Sequence, residues 1–261
     1  MFVIDVPYIN LNQIYNSWQA PRWIKLKEDK YVIPYKDKAL KIEQQKTRLI
    51  MSCSEEDFYN IWFNYFDLKT DYLDLNDKIR RLGKKFKVIA NRGNGIHILN
   101  QDPFEAYLLS EIVAYVGYVK AHTAVNHIAK VCGIEHKQSM REAGRVTWYE
   151  FPTPEMILKN FNKLKKMGNI NQWLKELCEA IVIDGYDFKN DGNKLFELYS
   201  GNMSEFPLYE IEDTLAKNFD CDVEEFADWY LDEIENKGLV YMYILHHKLN
   251  PPKDVKRNGT Y

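Results

Sequence analysis

Two patterns that divide this chain near its middle predict an α+β protein. Between residues 22 and 51, short segments of partly alternating apolar residues are separated by polar turns, the mark of a sheet with one buried face. From Asp102 onward, apolar residues recur at helical spacing. The strands are expected at Arg22–Leu26, Tyr31–Tyr35, Ala39–Glu43 and Thr47–Met51, joined by turns such as Lys27-Glu28-Asp29-Lys30. Ser54-Glu55-Glu56-Asp57 then reads as a serine cap followed by acids in a first helical turn, leading into Phe58–Phe66. A second short helix is expected over Leu75–Leu82. Pro103 opens a helix running to about Gly117, and Lys120–Cys132, a helix from Pro154 and Asn171–Ile183 follow. Pro207–Asn218, Val223–Asn236 and Leu239–Leu249 complete the helical half, with Pro251-Pro252 as the stop and Lys253–Tyr261 as a frayed polar tail. The expected organisation is a β-rich unit over 1–100, with short helices, and a helical unit over 101–261.

Composition narrows the function classes. With 261 residues, 46% hydrophobic and 28% charged, the chain can bury an ample core in one large domain or two small ones. Net charge is −3, whereas proteins that grip duplex DNA usually carry a basic excess that neutralises phosphate. The 18 tyrosines and 6 tryptophans supply stacking surfaces, although most rings of this kind are packing. Cys53, Cys132, Cys178 and Cys221 are widely spaced and read as reduced, buried thiols, which excludes a disulfide framework and a zinc site. The histidines offer no metal spacing: His246 and His247 are adjacent and point to different helix faces, and His127 and His136 stand alone. Gly93-Asn94-Gly95 lacks the Lys-Ser/Thr of a phosphate loop. The first residues carry no basic leader, and no apolar run approaches a membrane span of about 18 residues. A cytoplasmic protein with no membrane partner, metal or cofactor is expected.

Five phrases occur in an order that has a counterpart. Ser17-Trp18-Gln19-Ala20-Pro21-Arg22-Trp23, then Tyr65-Phe66-Asp67-Leu68 with Asp71-Tyr72, come first. Gly95-Ile96-His97-Ile98-Leu99-Asn100-Gln101-Asp102-Pro103-Phe104-Glu105, Phe151-Pro152-Thr153-Pro154-Glu155 and Phe206-Pro207-Leu208 follow. Together they resemble the S-G-Q-x-F-R-W, Y-F-D-L…D-Y, G-I-x-I-L-x-Q-D-P-W-E, F-P-T-P-E and F-P-V segments of the 8-oxoguanine DNA glycosylases. The resemblance spans about residues 10–250. It implies a TATA-binding-protein-like antiparallel domain packed on a helical domain, with a base pocket in the cleft. Members of that family flip a damaged guanine out of the duplex and attack its sugar with a lysine assisted by an aspartate.

This chain departs from the family at the residues that would touch substrate. The stretch Leu198–Glu210 is too short for the family's helix-hairpin-helix, holds no lysine, and has Tyr209 where the aspartate would stand. Loss of the hairpin also removes the backbone N–H groups that would grip a phosphate. Trp18 replaces the glycine whose carbonyl reads the N7 proton of 8-oxoguanine. Tyr241 aligns near the glutamine that reads the purine edge, Leu245 aligns with the stacking phenylalanine, and Tyr115 to Lys120 replaces the asparagine run that fills the flipped-base gap. No catalytic residues are therefore assigned. The implied ligand set is Trp18, Gln19, Arg22, Tyr115, Tyr118, Lys120, His122, Tyr209, Tyr241 and Leu245. Arg22, Lys120, His122 and Arg145 are the phosphate candidates.

Three functions fit. The first is a non-catalytic protein that binds or sequesters a purine-type nucleobase or nucleotide, for instance as a phage sponge for a bacterial immune signal; its bland counterpart is a pocket merely filled by Trp18 and Tyr241. The second is a DNA- or RNA-binding protein using the basic runs Arg80–Lys85 and Lys159–Lys166, which more often are solvated helix faces. The third is a divergent glycosylase for a modified base, with Glu210 or Asp213 as its carboxylate, although acids in a first helical turn are also favoured by the dipole.

Overall fold

The computed structural model describes residues 1–140, 144–164, 167–202 and 236–251. Strand β1 (Phe2–Asp5) is followed by helix α1 (Leu11–Asn16) and by β2 (Ile24–Lys27), β3 (Lys30–Tyr35), β4 (Lys38–Gln45) and β5 (Arg48–Met51). The five strands form one antiparallel sheet in the order β1-β5-β4-β3-β2, a four-strand meander with β1 added beside β5. Alternation and the polar turns made β2 to β5 readable. The first strand and α1, too short to show a period, were not expected. Asp29, Lys36 and Lys46 take positive φ values of 58°, 52° and 57° in the hairpin turns, the backbone hand that tight hairpins need.

Helix α2 is one continuous element made of Glu55–Asp57, a π turn Phe58–Trp62 and Phe63–Tyr65, and Ser54 caps it through the Asp57 amide. It sets Phe58, Trp62, Tyr65 and Phe66 against the sheet, where they join Leu11, Ile14, Tyr31, Ile33, Leu40, Ile42 and Leu49 in one buried cluster. Helices α3 (Tyr72–Arg81) and α4 (Lys84–Arg92) follow; the second was not foreseen. Tyr72, Ile79, Phe86 and Ile89 from this pair belong to the other apolar cluster, that of the helical part, although their positions lie before residue 100.

The helical part comprises α5 (Pro103–Val116), α6 (Tyr118–Cys132), α7 (Pro154–Asn160), α8 (Asn169–Ile183), α9 (Lys194–Tyr199) and α10 (Lys237–Leu249). Asp102 caps α5 through the amides of Phe104 and Glu105, with Pro103 in the first turn. Between α6 and α7 the chain forms a hairpin, β6 (Glu135–Met140) and β7 (Gly144–Tyr149), where the sequence was read as helical throughout. Six-residue strands rich in Lys, Gln, Arg and Thr carry little period, and their fit comes from packing: Val146 sits with Val32, Ile24, Leu26 and Ala39 of the sheet. Expected helices Pro207–Asn218 and Val223–Asn236, and the tail, lie essentially outside the described residues.

Among the described residues, the phrases that carried the resemblance serve packing. Tyr65 accepts from the Trp23 indole at 2.8 Å, and Asp67, left-handed at φ 47°, accepts from the Tyr72 hydroxyl at 2.9 Å. His97 stacks on Tyr72 with centroids 3.9 Å apart. Gly95 is left-handed at φ 81°, and a Cβ there would lie 2.7 Å from Cβ of Asn10, so a side chain is excluded twice over.

Arg22 and Glu105 join the parts. The guanidinium donates to both carboxylate oxygens at 2.6 and 2.5 Å and to the Tyr149 carbonyl at 2.7 Å, and lies over the Phe151 ring at 5.3 Å. Both side chains are at least nine-tenths buried. Removing one charge of such a pair strands the other in a low-dielectric site. Glu105→Gln is therefore expected to lower unfolding free energy by about 3–5 kcal/mol, read as the shift in a urea midpoint, while the exposed pair Lys78–Asp74 should give under about 1 kcal/mol when broken.

His246, 4% exposed, has no hydrogen-bond partner for Nδ1 among the described residues, and burial, with Arg92 and His247 nearby, lowers its pKa to about 4. Burial lowers His122 and His247 in the same direction. The unfolded chain then binds more protons between pH 6.5 and 4, so stability is full above about 6.5 and falls as the pH drops through that window. His246→Leu should flatten the acid limb of a stability–pH curve by up to roughly 3 kcal/mol, the linkage of such a shift; an unchanged limb would assign the acid sensitivity elsewhere.

Candidate ligand-binding cleft

Trp18 closes the turn after α1 with φ 66°, a conformation that bulky residues rarely adopt and that costs of order 1–3 kcal/mol. Glycine takes it at no steric cost, so this position keeps a glycine-type backbone while carrying an indole. Its carbonyl accepts from His122 Nε2 at 2.7 Å, and the two rings lie 4.7 Å apart at 50°. Burial lowers the His122 pKa against the opposing pull of that carbonyl bond, which fits a neutral ring donating through Nε2. The oxygen that the resemblance assigned to a base is thus engaged within the protein.

Gln19 and Arg22 were expected to meet ligand, and the structure commits both to the fold. Gln19 is fully buried; its amide nitrogen donates to Ser17 Oγ at 2.9 Å and to the His97 carbonyl at 2.8 Å, and its oxygen accepts from the Leu99 amide at 2.8 Å. Burial disfavours the Arg22 charge, but Glu105 outweighs it and the pKa rises. Leu245, 3% exposed, lies inside the helical core, because α10 is buried over most of its circumference.

Tyr118 and Tyr241 are brought together across 123 positions of sequence, with hydroxyls 2.9 Å apart. They line a cleft of about 550 Å³ between α5, the 191–195 turn and α10. Tyr118 opens α6 directly after Gly117, whose φ of 77° turns the chain between the two helices. Burial, reinforced by the neighbouring phenols, pushes the Tyr118 pKa far above 10, and burial does the same to Tyr199, which packs fully buried beside them. These hydroxyls stay protonated across the physiological range.

The cleft's other polar groups escaped the sequence reading. Asp191 accepts from the Asn193 amide at 2.9 Å, and Asn193 caps α9 through the Phe196 amide. The Asn193 side chain also donates to Glu111 at 2.5 Å. Burial raises the Glu111 pKa, while that bond opposes the rise. Lys194 reaches Glu197 at 3.1 Å and lines the same cleft. An Asp-Gly-Asn turn before a helix signals a cap in sequence; nothing in it signals a cavity.

Of the remaining candidates, Lys120 is exposed and Tyr115, 63% exposed, borders a separate hollow. Arg145, on β7, is exposed. Tyr209, Glu210 and Asp213 lie outside the described residues, as do Phe206, Pro207 and Leu208. Among the described residues there is no cluster of His, Cys, Asp and Glu able to hold a metal, and no helix long and apolar enough to cross a membrane.

Comparison with known proteins places this geometry. No curated protein sequence matches the chain. Among solved structures, it is similar to MBOgg1 in complex with a low-affinity DNA ligand, at 19% identity and TM-score 0.77, over 94% of each chain. It is similar to the apo 8-oxoguanine glycosylase/lyase of Clostridium acetobutylicum, at 21% identity and TM-score 0.75, over 94% of this chain and 95% of that one. The 3-methyladenine DNA glycosylase of Archaeoglobus fulgidus follows at 13% identity and TM-score 0.69, over 95% and 98%. Residues 1–107 match the family profile of the 8-oxoguanine DNA glycosylase N-terminal domain, and the chain shares the fold of these glycosylases over nearly its whole length.

Proposed function

We propose that this protein binds a nucleobase or nucleoside, of purine type, in the cleft walled by Tyr118 and Tyr241, and holds it without cleaving it. The observation that carries this reading is the Tyr118–Tyr241 hydroxyl pair on a cleft of about 550 Å³, within the size range of small-molecule sites. A base stacked on an aromatic side chain gains roughly 1–3 kcal/mol, and phenols held protonated add donors for a ring nitrogen or carbonyl. Support for a role without chemistry comes from the absence of lysine in Leu198–Glu210 and from the engagement of the Trp18 carbonyl by His122. Sequestration of a nucleotide signal is the corresponding biological role. The charges favour the base over its phosphates: Glu111 and Asp191 line the cleft, and its Lys194 is paired with Glu197. A phosphate would point out of the cleft.

A second reading has its own observation. One amine, Lys194, and two carboxylates, Asp191 and Glu111, line one cleft, and a relative of this fold, the Clostridium acetobutylicum enzyme, was solved with double-stranded DNA containing cytosine opposite 8-oxoG. An amine and a carboxylate are the groups that base excision through a Schiff base requires. The two readings separate experimentally. Calorimetric titration with purine nucleosides should show saturable binding that Tyr241→Ala weakens by roughly 5-fold or more, the stacking contribution, and that Tyr118→Phe weakens less. Borohydride treatment with an 8-oxoguanine duplex should trap no covalent adduct. An adduct lost in Lys194→Gln would replace the binding reading with the enzymatic one.

A further inference from the structure

We propose a second site, separate from the tyrosine cleft, in the hollow between α5 and the start of α8, and assign it to a flat nitrogen heterocycle with the hydrogen-bonding edge of guanine. The hollow encloses about 290 Å³, ample for a purine ring system, and is lined by Glu111, Ile112, Tyr115, Asn169, Ile170 and Trp173. Ile112 and Ile170, at 1% and 7% exposure, supply an apolar floor. Tyr115 and Trp173 supply two aromatic walls, and the Asn169 amide lies 3.4 Å from the Tyr115 hydroxyl and braces that ring. A tyrosine 63% exposed beside an apolar hollow leaves a ring face uncovered that a planar ligand would bury.

The polar group fixes the class of ring. Among the described residues Glu111 accepts one hydrogen bond, from Asn193, and a carboxylate has about four acceptor sites, so capacity remains at the rim. Guanine offers adjacent N–H donors, at N1 and the exocyclic amine, to a single carboxylate. Adenine offers one amino donor beside an acceptor that would face the carboxylate's negative charge. None of the six lining residues is cationic, so the site suits an uncharged base or nucleoside better than a nucleotide. Glu111 also borders the tyrosine cleft, whereas Tyr115 and Trp173 do not, so the two sites can be tested apart.

The test is guanosine titration of the full chain, read by calorimetry and by tryptophan fluorescence, with adenosine as the competitor edge. Guanosine should bind saturably, and adenosine about tenfold or more weakly, the cost of a mismatched charged acceptor. Tyr115→Ala and Trp173→Leu should each weaken guanosine roughly 5-fold or more, Glu111→Gln should weaken it comparably, and Tyr241→Ala should leave this site's guanosine affinity and fluorescence change intact. Because Tyr115 is largely exposed, its variant folds and keeps the test decisive if Trp173→Leu does not. Absence of saturable guanosine binding or, with the tyrosine cleft weakened by Tyr241→Ala, equal affinity for adenosine or an affinity unmoved by adding Tyr115→Ala would overturn the assignment. Loss of binding with Tyr241→Ala alone would place guanosine in the tyrosine cleft and overturn this site while sparing that reading.

Discussion

The Arg22–Glu105 pair is the buried ion pair that ties the sheet to the helices. Arg22 sits just before β2 and Glu105 in the first turn of α5, and the same guanidinium reaches the Tyr149 carbonyl at the end of β7 and the Phe151 ring. One planar cation with a fixed fork of donors thus ties the sheet, one wall of the helical core and the added hairpin. Burial makes the pair costly unless every partner is in place, so it specifies an arrangement more than it adds stability. Asp102 places Glu105 by capping α5, and Gln19, which holds Leu99 and His97, fixes the approach of the Arg22 segment. The turn bearing Trp18 is locked between those two anchors, which is how the fold sustains an unfavourable φ at a bulky residue.

That locked turn bears on function. With the Trp18 carbonyl accepting from His122, a group suited to reading a base edge is turned inward. The cleft that remains is lined by phenols, carboxylates and Lys194, which is paired with Glu197. Burial keeps the phenols protonated and raises Glu111, so the walls offer neutral donors and a carboxylate acceptor. Such walls favour uncharged planar molecules over the phosphate-rich ligands that a basic groove would attract. A net charge of −3 points the same way. Both the tyrosine cleft and the hollow beneath Tyr115 are built on α5, whose successive faces supply Ser110 and Val113 to one and Ile112 and Tyr115 to the other.

Legibility followed periodicity and local chemistry. Strands β2 to β5 were readable because alternation and polar turns coincide, and α5 and α7 because a cap and a proline mark each start. Helix α4 and the β6–β7 hairpin were not, because Lys84-Lys85-Phe86-Lys87 and Glu135-His136-Lys137-Gln138 carry charge without a clear period; each finds its place through contacts made by single residues such as Phe86 and Val146. The proximity of Tyr118 and Tyr241 was expected only as a consequence of the resemblance. The partners of Gln19 and Arg22 were not legible: a motif gives the position of a side chain in sequence, and its hydrogen-bond partners lie 80 and 83 residues away.

Sequence by itself determined the α+β division, most element starts and the resemblance carried by the ordered phrases, because each depends on residues within a few positions of one another. It also determined that Leu198–Glu210 lacks a lysine, which composition alone decides. Tertiary structure decided which polar side chains are consumed by the fold and which face a cavity. Asp191, Lys194 and Glu111 became cleft residues, and Trp173 the wall of a hollow, only when α5, α8, α9 and α10 packed together. The physical reason is that hydrogen-bond capacity and solvent exposure belong to a side chain's surroundings, which long-range packing assembles and no local pattern records.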